Sequence, residues 1–548
     1  MKPYKLPAGI QTFDKIIEGN FIYVDKTKYL VDLIEGDTIY FFARPRRFGK
    51  SLTVSTLDAL FSGKKELFKG LYAEEYMNRA DYYTSPVIRL DMSGVTTDSG
   101  IEMVKKSIHF LLDRAAARYA LTLEGERSES VLFDELIQKI AGKHGKVVIL
   151  LDEYDKPYNE FVNNLNMAEQ VREVLRNFYV RIKKNDEYIR FVFITGISKF
   201  ARFGVFSGLN SPVDISLDPK YGEMCGLTEE EILQYFPEYI KETAENYQLS
   251  TEALVEKMRN YYDGFCFDGI HRLYNPYSAL CFFLQKEFDN FWMESGTTKM
   301  IADYLKSHTL TVEQFRGMTV SRDFVRNPGE LDNTPPEGFL YQGGYLTLRK
   351  KIDSFFILDY PNTEVLNSMS ALLANNLLRD NDEDFSRCRS NFINALYKKD
   401  AERLKIVLNR LLASVPYDDF KRAAEDNISD NDYPFSVYEW HYRSIILAFL
   451  RGCGVATVAE MHTHRGRPDL VLMFRGNTYI IELKVAYTPE DVETKLQEAI
   501  TQITEKNYLA PYPNVTALAL VIDDMERRIT GSEIINFAAL KRPLGDWE

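Results

Sequence analysis

Asp469 and Glu482 stand thirteen residues apart, and Lys484 follows the second acid by two. The acids belong to two apolar runs, DLVLMF (469–474) and TYIIELKV (478–485), separated by RGN (475–477). Two such runs around a glycine-containing turn predict a β-hairpin. Pairing them about that turn brings Asp469 and Glu482 together at one end of the sheet. Residues two apart on a strand share a face, so Lys484 points the same way as Glu482. Two carboxylates can hold Mg²⁺ or Mn²⁺, and the cation polarises a phosphate and activates water. A lysine beside them orients that water or stabilises the developing charge. The chemistry expected is metal-dependent phosphodiester hydrolysis.

A second constellation lies in the first tenth of the chain. RPRRFGKSL (44–52) follows an apolar strand-like run, TIYFFA (38–43), and leads into a helix-like stretch. Gly49, Lys50 and Ser51 supply the second half of G-x-x-x-x-G-K-[ST], while Arg44 replaces the first glycine. The expected nucleotide-binding segment is Arg46, Arg47, Phe48, Gly49, Lys50, Ser51 and Leu52, whose backbone N–H groups would cradle phosphates at a helix N-terminus. Lys50 would reach the β- and γ-phosphates, and Ser51 would hold Mg²⁺.

Downstream, KVVILLDEYDKP (146–157) reads as a buried parallel strand ending in two acids. Asp152 would position Mg²⁺, and Glu153 would be the general base that activates water. A further strand, RFVFITGISKF (190–200), ends where a γ-phosphate sensor belongs, which makes Thr195 and Ser198 candidates. Arg46, Arg47 and Arg202 are candidate arginine fingers.

The elements that must position these residues are legible in outline. Near the C-terminus, a helix (436–450) precedes a strand (455–461), the two acid-bearing strands, a helix (490–508) and a strand (515–523). This α-β-β-β-α-β order, with Pro468-Asp469 and the E-x-K triplet, resembles the PD-(D/E)xK nuclease superfamily. Glu439, on the first helix, is an additional candidate metal ligand, and Glu460 could fill the same role. Gln502 resembles a polar residue that related nucleases aim at the site, although the Q-x-x-x-Y spacing is not met because Tyr508 is six residues on. His441, His462 and His464 show no zinc-triad spacing.

In the N-terminal half, strands near 38–43, 87–93, 147–153, 191–196 and 213–218 alternate with helices, which implies a mainly parallel sheet. LTEEEILQYF (227–236) carries a Thr-x-x-Glu capping box. Beyond it the chain reads as mainly helical, with a two-stranded hairpin over 339–362 that could be a winged-helix wing used for packing or for DNA. The polar stretch AAEDNISDND (423–432) is the best linker candidate.

FIYVDKTKYL (21–30), RPRRFGKSL, VVILLDEYDKP (147–157), ITGISKFARFGVFSGLN (194–210), YYDGFCFDG (261–269), LYNPYSAL (273–280) and the two C-terminal strands together resemble a bacterial AAA-ATPase-like family paired with a PD-(D/E)xK domain. The resemblance covers nearly the whole chain. It implies an ATPase fused to a nuclease-like module, and it makes the RPRRFGKS form of the P-loop compatible with nucleotide binding.

The expected architecture is α/β and multidomain: a P-loop NTPase parallel sheet (1–225), a helical middle region (226–430) and a C-terminal restriction-endonuclease-like αβββαβ domain (431–548). A net charge of −13, from 67 basic and 80 acidic residues, argues against coating DNA with the whole surface. A local groove with Arg465, Arg467 and Arg475 remains open. Five cysteines without metal spacing fit a reduced cytoplasm, and no run of about 20 apolar residues predicts a membrane span. The function expected is an ATP-binding and ATP-hydrolysing protein whose Mg²⁺-dependent nuclease module acts on DNA under nucleotide control, with RNA and a homo-oligomer left open. The alternative is an ATP-switched interaction or DNA-binding protein with an inactive nuclease fold.

Overall fold

The computed structural model describes residues 4–36, 38–97, 100–123, 127–161, 164–197, 212–292, 311–326, 334–378, 385–413, 437–460, 467–506, 508 and 514–536. The chain divides into two compact units, residues 1–303 with 315–365, and residues 304–314 with 366–548. Ser198, Arg202, His462, His464, Arg465 and the linker at 423–432 lie outside the described residues.

The first unit is built on five strands, β1 (Ile39–Ala43), β2 (Val87–Asp91), β3 (Val147–Asp152), β4 (Ile189–Gly196) and β5 (Val213–Asp214). All pair in parallel, in the order β2-β3-β4-β1-β5. Every residue of β3 is buried, as continuous apolar runs are when helices cover both faces of a parallel sheet. β5 is shorter than the expected 213–218. Asp214 accepts the Ser216 N–H and Asp218 that of Lys220, and these local turns replace the ladder. The order places β4 between the P-loop strand and the acid strand, so the C-terminal ends of β1, β4 and β3 lie side by side. The helix after β1, α1 (Lys50–Phe61), starts directly from the loop.

The capping box at the next labelled helix, α2 (Glu229–Tyr235), is complete: Thr228 Oγ1 accepts the Glu231 N–H and Glu231 accepts the Thr228 N–H. Helix α3 (Pro276–Gln285) is capped by Asn275 with proline in its first position. The sequence FLYQG, read above as strand, is helical within α4 (Pro336–Gly343). Pro336 opens that helix, and Gly344 closes it with φ +83°. The strands that follow are β7 (Thr347–Ile352) and β8 (Phe355–Asp359), and β6 (Met318–Ser321), unread in the sequence, completes an antiparallel sheet in the order β6-β8-β7. Thr347 Oγ1 bonds both the N–H and the carbonyl of Cys266, which ties this hairpin to the YYDGFCFDG segment as packing.

The second unit carries α5 (Val437–Gly452), β9 (Ala456–Ala459), β10 (Leu470–Phe474), β11 (Asn477–Ala486), α6 (Asp491–Glu505), β12 (Val515–Asp523) and β13 (Arg528–Asn536). The sheet order is β13-β12-β11-β10-β9. Only β11 and β12 are parallel, and α6 makes the crossover between them. β13 was not anticipated, because Gly531, Ser532 and Glu533 interrupt its apolar pattern. Alternation sorts the two faces. Leu470, Leu472, Tyr479, Ile481 and Leu483 pack with α5 and the helices over 385–413. Val471 and Ile480 pack against Ala499 and Ile503 of α6. No helix among the described residues is long and apolar enough to cross a membrane.

Candidate nucleotide and nuclease sites

The loop after β1 bends through two left-handed residues, Arg47 (φ +66°) and Gly49 (φ +98°). Arg47 lies over the Tyr277 ring at 4.7 Å, which supports its backbone strain. Lys50 Nζ is curled into the loop and donates to the carbonyls of Arg44 and Pro45 at 2.9 and 3.0 Å. Burial pushes its pKa down, opposed by Glu153, Asp152 and Asp155. The Phe48 ring is buried, edge-on against Phe265 and Phe267. Arg44 is also structural: its guanidinium is buried against Phe42 and Phe267.

Asp152 ends β3, 1% exposed, close enough to the Ser51 hydroxyl for that group to favour its charged form. Burial raises its pKa, while Ser51 and Lys50 pull it back. A hydroxyl and a carboxylate close together beside a P-loop lysine are the donor set that fits Mg²⁺. Glu153 turns out of the strand at φ +49°, and burial raises its pKa, with Lys50 and Arg46 opposing. A carboxylate moved toward neutrality is suited to accept a proton from water. Thr195, fully buried at the end of β4, has an Oγ1 with no hydrogen-bond partner among the described residues. The register sets it beside Phe42 of the P-loop strand. A cavity of about 420 Å³ adjoins the loop, and its lining includes Glu153, Lys156, Ile10, Ile22, Val24 and Leu280. The segment before the first strand, which includes a helix at Phe13–Glu18, thus contributes to the lining of this cavity.

In the second unit, β10 and β11 pair with Leu470 opposite Ile481, which sets Asp469 opposite Glu482. Asp469 Oδ2 accepts the Leu483 N–H at 2.8 Å. Lys484 Nζ lies 3.3 Å from Glu482 Oε1 and 3.9 Å from Glu439 Oε1. Burial raises the Asp469 pKa, and burial together with the Asp469 charge raises that of Glu482. Lys484 is raised despite burial, because Glu482, Glu439 and Asp469 surround it. Glu482 Oε2 is buried with no hydrogen-bond partner among the described residues. The described residues contain no cluster of three His, Cys, Asp or Glu able to cage a metal alone. Two carboxylates with an unpartnered oxygen nevertheless suit Mg²⁺, which in phosphate chemistry takes its remaining ligands from substrate and water.

The family described as “Predicted AAA-ATPase” matches residues 7–206, and the PD-(D/E)XK nuclease superfamily matches residues 437–529. A protein of Azotobacter chroococcum mcd 1, described as “Uncharacterized protein in vnfD 5'region”, is 32% identical over 524 residues, covering 93% of this chain and 94% of that one. The chain belongs to this family of AAA-ATPase-like proteins with a C-terminal PD-(D/E)XK nuclease domain. Among solved structures, the Aeropyrum pernix ORC1 protein in complex with DNA is 11% identical with a TM-score of 0.24, over 63% of this chain and 91% of that one. The ORC2 protein of the same organism (ADPNP-ADP complexes) is 10% identical with a TM-score of 0.30, over 66% and 97%.

Within this AAA-ATPase-like chain, the neighbours of the nuclease site are partly those named from the sequence, and Arg443 alone among them was not. Gln502 Nε2 donates to Tyr508 Oη at 3.3 Å, so the six-residue spacing still makes a pair, because the chain leaves α6 before Tyr508 folds back. Arg443 reaches Asp469 from α5, and its only sequence signal is its position one turn after Glu439. Arg475 occupies the hairpin turn at the end remote from the acids, near Tyr397 and Phe474, so it does not join Arg467 in a common groove. Glu460 pairs with Arg443 at 2.7 Å.

Proposed function

We propose that this protein binds and hydrolyses ATP at the P-loop and cleaves phosphodiester bonds of DNA at Asp469, Glu482 and Lys484. The observation that carries the nuclease reading is the Asp469–Glu482 pair, set opposite each other with Lys484 on the same face and one Glu482 oxygen unpartnered. Bound Mg²⁺ or Mn²⁺ supplies Lewis-acid stabilisation of the reacting phosphate. Asp469 and Glu482 hold the cation, with Glu439 as a further acid across from Lys484. Lys484 orients the attacking water and neutralises charge building on the phosphate oxygens.

At the P-loop, Lys50 leaves the carbonyls of Arg44 and Pro45 for the phosphates of ATP. Ser51 and Asp152 hold Mg²⁺, Glu153 takes a proton from the attacking water, and the Thr195 hydroxyl contacts the γ-phosphate. Arg46 faces Glu153 and adds positive charge there. The presence of both chemistries in one chain supports control of cleavage by the nucleotide state.

The test incubates the full chain with circular and linear DNA and Mg²⁺ or Mn²⁺, with and without ATP, beside Asp469→Ala and Lys50→Ala. Cleavage lost only in Asp469→Ala supports the nuclease, and ATP dependence lost in Lys50→Ala supports the coupling. Cleavage by Asp469→Ala at the wild-type rate sinks the assignment. No cleavage of DNA by any form, with ATP turnover intact, shifts the reading to RNA or to an ATP-switched binding module.

A further inference from the structure

Arg443 is a buried cation beside the acids to which the chemistry above gives no role. It is 6% exposed, and its Nη1 lies 2.7 Å from Glu460 Oε1 and 3.3 Å from Asp469 Oδ1. Glu460 and Asp469 differ in freedom. Asp469 is buried and fixed through its other oxygen by the Leu483 N–H. The Glu460 side chain is 34% exposed, just past the end of β9. The Glu460 N–H donates to the Asp469 carbonyl at 3.1 Å, so the backbone keeps the two acids together. An arginine cannot relieve crowding by another cation through losing its proton, so only a change of partner can do so. A divalent cation on Asp469 would come up against the guanidinium on the same carboxylate, in a poorly screened setting.

We infer that Arg443 competes with the divalent cation for the Asp469 carboxylate, and that Glu460 sets the balance by offering the guanidinium a second seat. Arg443 is thus a positioning residue that tunes how tightly the nuclease site takes its metal. Pairing with Arg443 keeps the buried Asp469 from standing as an uncompensated charge, a situation that is costly in a protein interior. The inference rests on the reading of Asp469 and Glu482 as the cation site.

The experiment is a Mn²⁺ titration of the nucleotide-free full chain, with free Mn²⁺ followed by electron paramagnetic resonance. The proteins compared are wild type, Asp469→Ala, Glu460→Gln, Glu460→Asp, Arg443→Gln and the Arg443→Gln/Glu460→Gln double variant. Glu460→Gln is expected to weaken Asp469-dependent Mn²⁺ binding by about tenfold, and Arg443→Gln to tighten it by a similar factor. In the double variant the weakening caused by Glu460→Gln should disappear, which separates competition through Arg443 from a simple loss of negative charge. Glu460→Asp keeps the charge but withdraws the seat, so it too should bind more weakly, and it decides the matter should Arg443→Gln fail to fold. Wild-type affinity in Glu460→Asp, or equal weakening by Glu460→Gln in both backgrounds, overturns the inference. Undiminished Mn²⁺ binding by Asp469→Ala instead overturns the cation site itself.

Discussion

The Arg44 guanidinium lies 4.4 Å from the ring centre of Phe267 and 4.3 Å from that of Phe42. It also donates to the carbonyls of Ala43 and Ser216 at 3.0 and 2.7 Å. The residue standing where other P-loops have glycine is therefore a core strut that joins β1 to the FCFDG segment. Arg44→Gly, which restores the common motif, should destabilise the first unit by about 2–4 kcal/mol, from lost cation–π and charged hydrogen bonds. Arg44→Lys should recover less than half of that, since an ammonium cannot stack as a plane. Urea midpoints of the three proteins check this.

Gly344 closes α4 at φ +83°, and a Cβ there would come within 2.7 Å of the Pro45 ring and 3.1 Å of Trp292. Pro45 belongs to the P-loop, and its carbonyl accepts from Lys50. Gly344→Ala should cost about 1–3 kcal/mol and weaken ATP binding at the same time. Calorimetric titration with a non-hydrolysable ATP analogue, read beside a thermal melt, measures both effects. Unaltered affinity in a folded variant would disconnect α4 from the loop.

Glu364 is fully buried, accepts the Trp292 N–H at 2.8 Å, and is pushed up to about 8 by burial. The unfolded chain releases this proton near pH 4.5, whereas the folded chain keeps it until about 8. Stability from this group is therefore complete below the unfolded value, falls as pH rises between the two, and falls no further above about 8. Glu364→Gln keeps the acceptor and cannot ionise. Its stability advantage over wild type should grow from pH 5 to pH 8 by an amount on the order of a few kcal/mol. Urea midpoints across that range test it, and parallel curves would refute it.

Tyr508 is buried, takes a hydrogen bond from Gln502 and donates to the Arg467 carbonyl, both at 3.3 Å. Tyr508→Phe should cost about 1–2 kcal/mol, because the Arg467 carbonyl and the Gln502 amide lose a partner. Arg467 leads directly into Pro468-Asp469, so cleavage should slow while ATP turnover holds. Paired nuclease and phosphate-release assays on one preparation separate the two.

Much of this protein was legible from local periodicity. The Val147–Asp152 run is apolar throughout because both faces of its strand are covered, and such a run announces a central parallel strand whatever surrounds it. The Thr228–Glu231 box closes within one helical turn and involves nothing outside it. The convergence of Asp469 with Glu482 follows from a two-residue period and a short turn, so the hairpin register carries the acids together. Other features were hidden. FLYQG was misread as strand because its apolar run is too short for periodicity to separate strand from buried helix, and Pro336 and Gly344 decided the matter at its ends.

The sequence by itself determined which residue types stand at the ends of β1, β3, β10 and β11, since strand period and turn chemistry act over a few residues. Tertiary structure alone decided that Arg44 stacks on Phe267, that Gln502 finds Tyr508, and that Arg443 stands between Asp469 and Glu460. In each case a long side chain meets a partner brought close by packing across a sheet or around a turn. The energy that selects the pairing is the desolvation of a buried charge or polar group, and that depends on everything packed around it rather than on spacing along the chain.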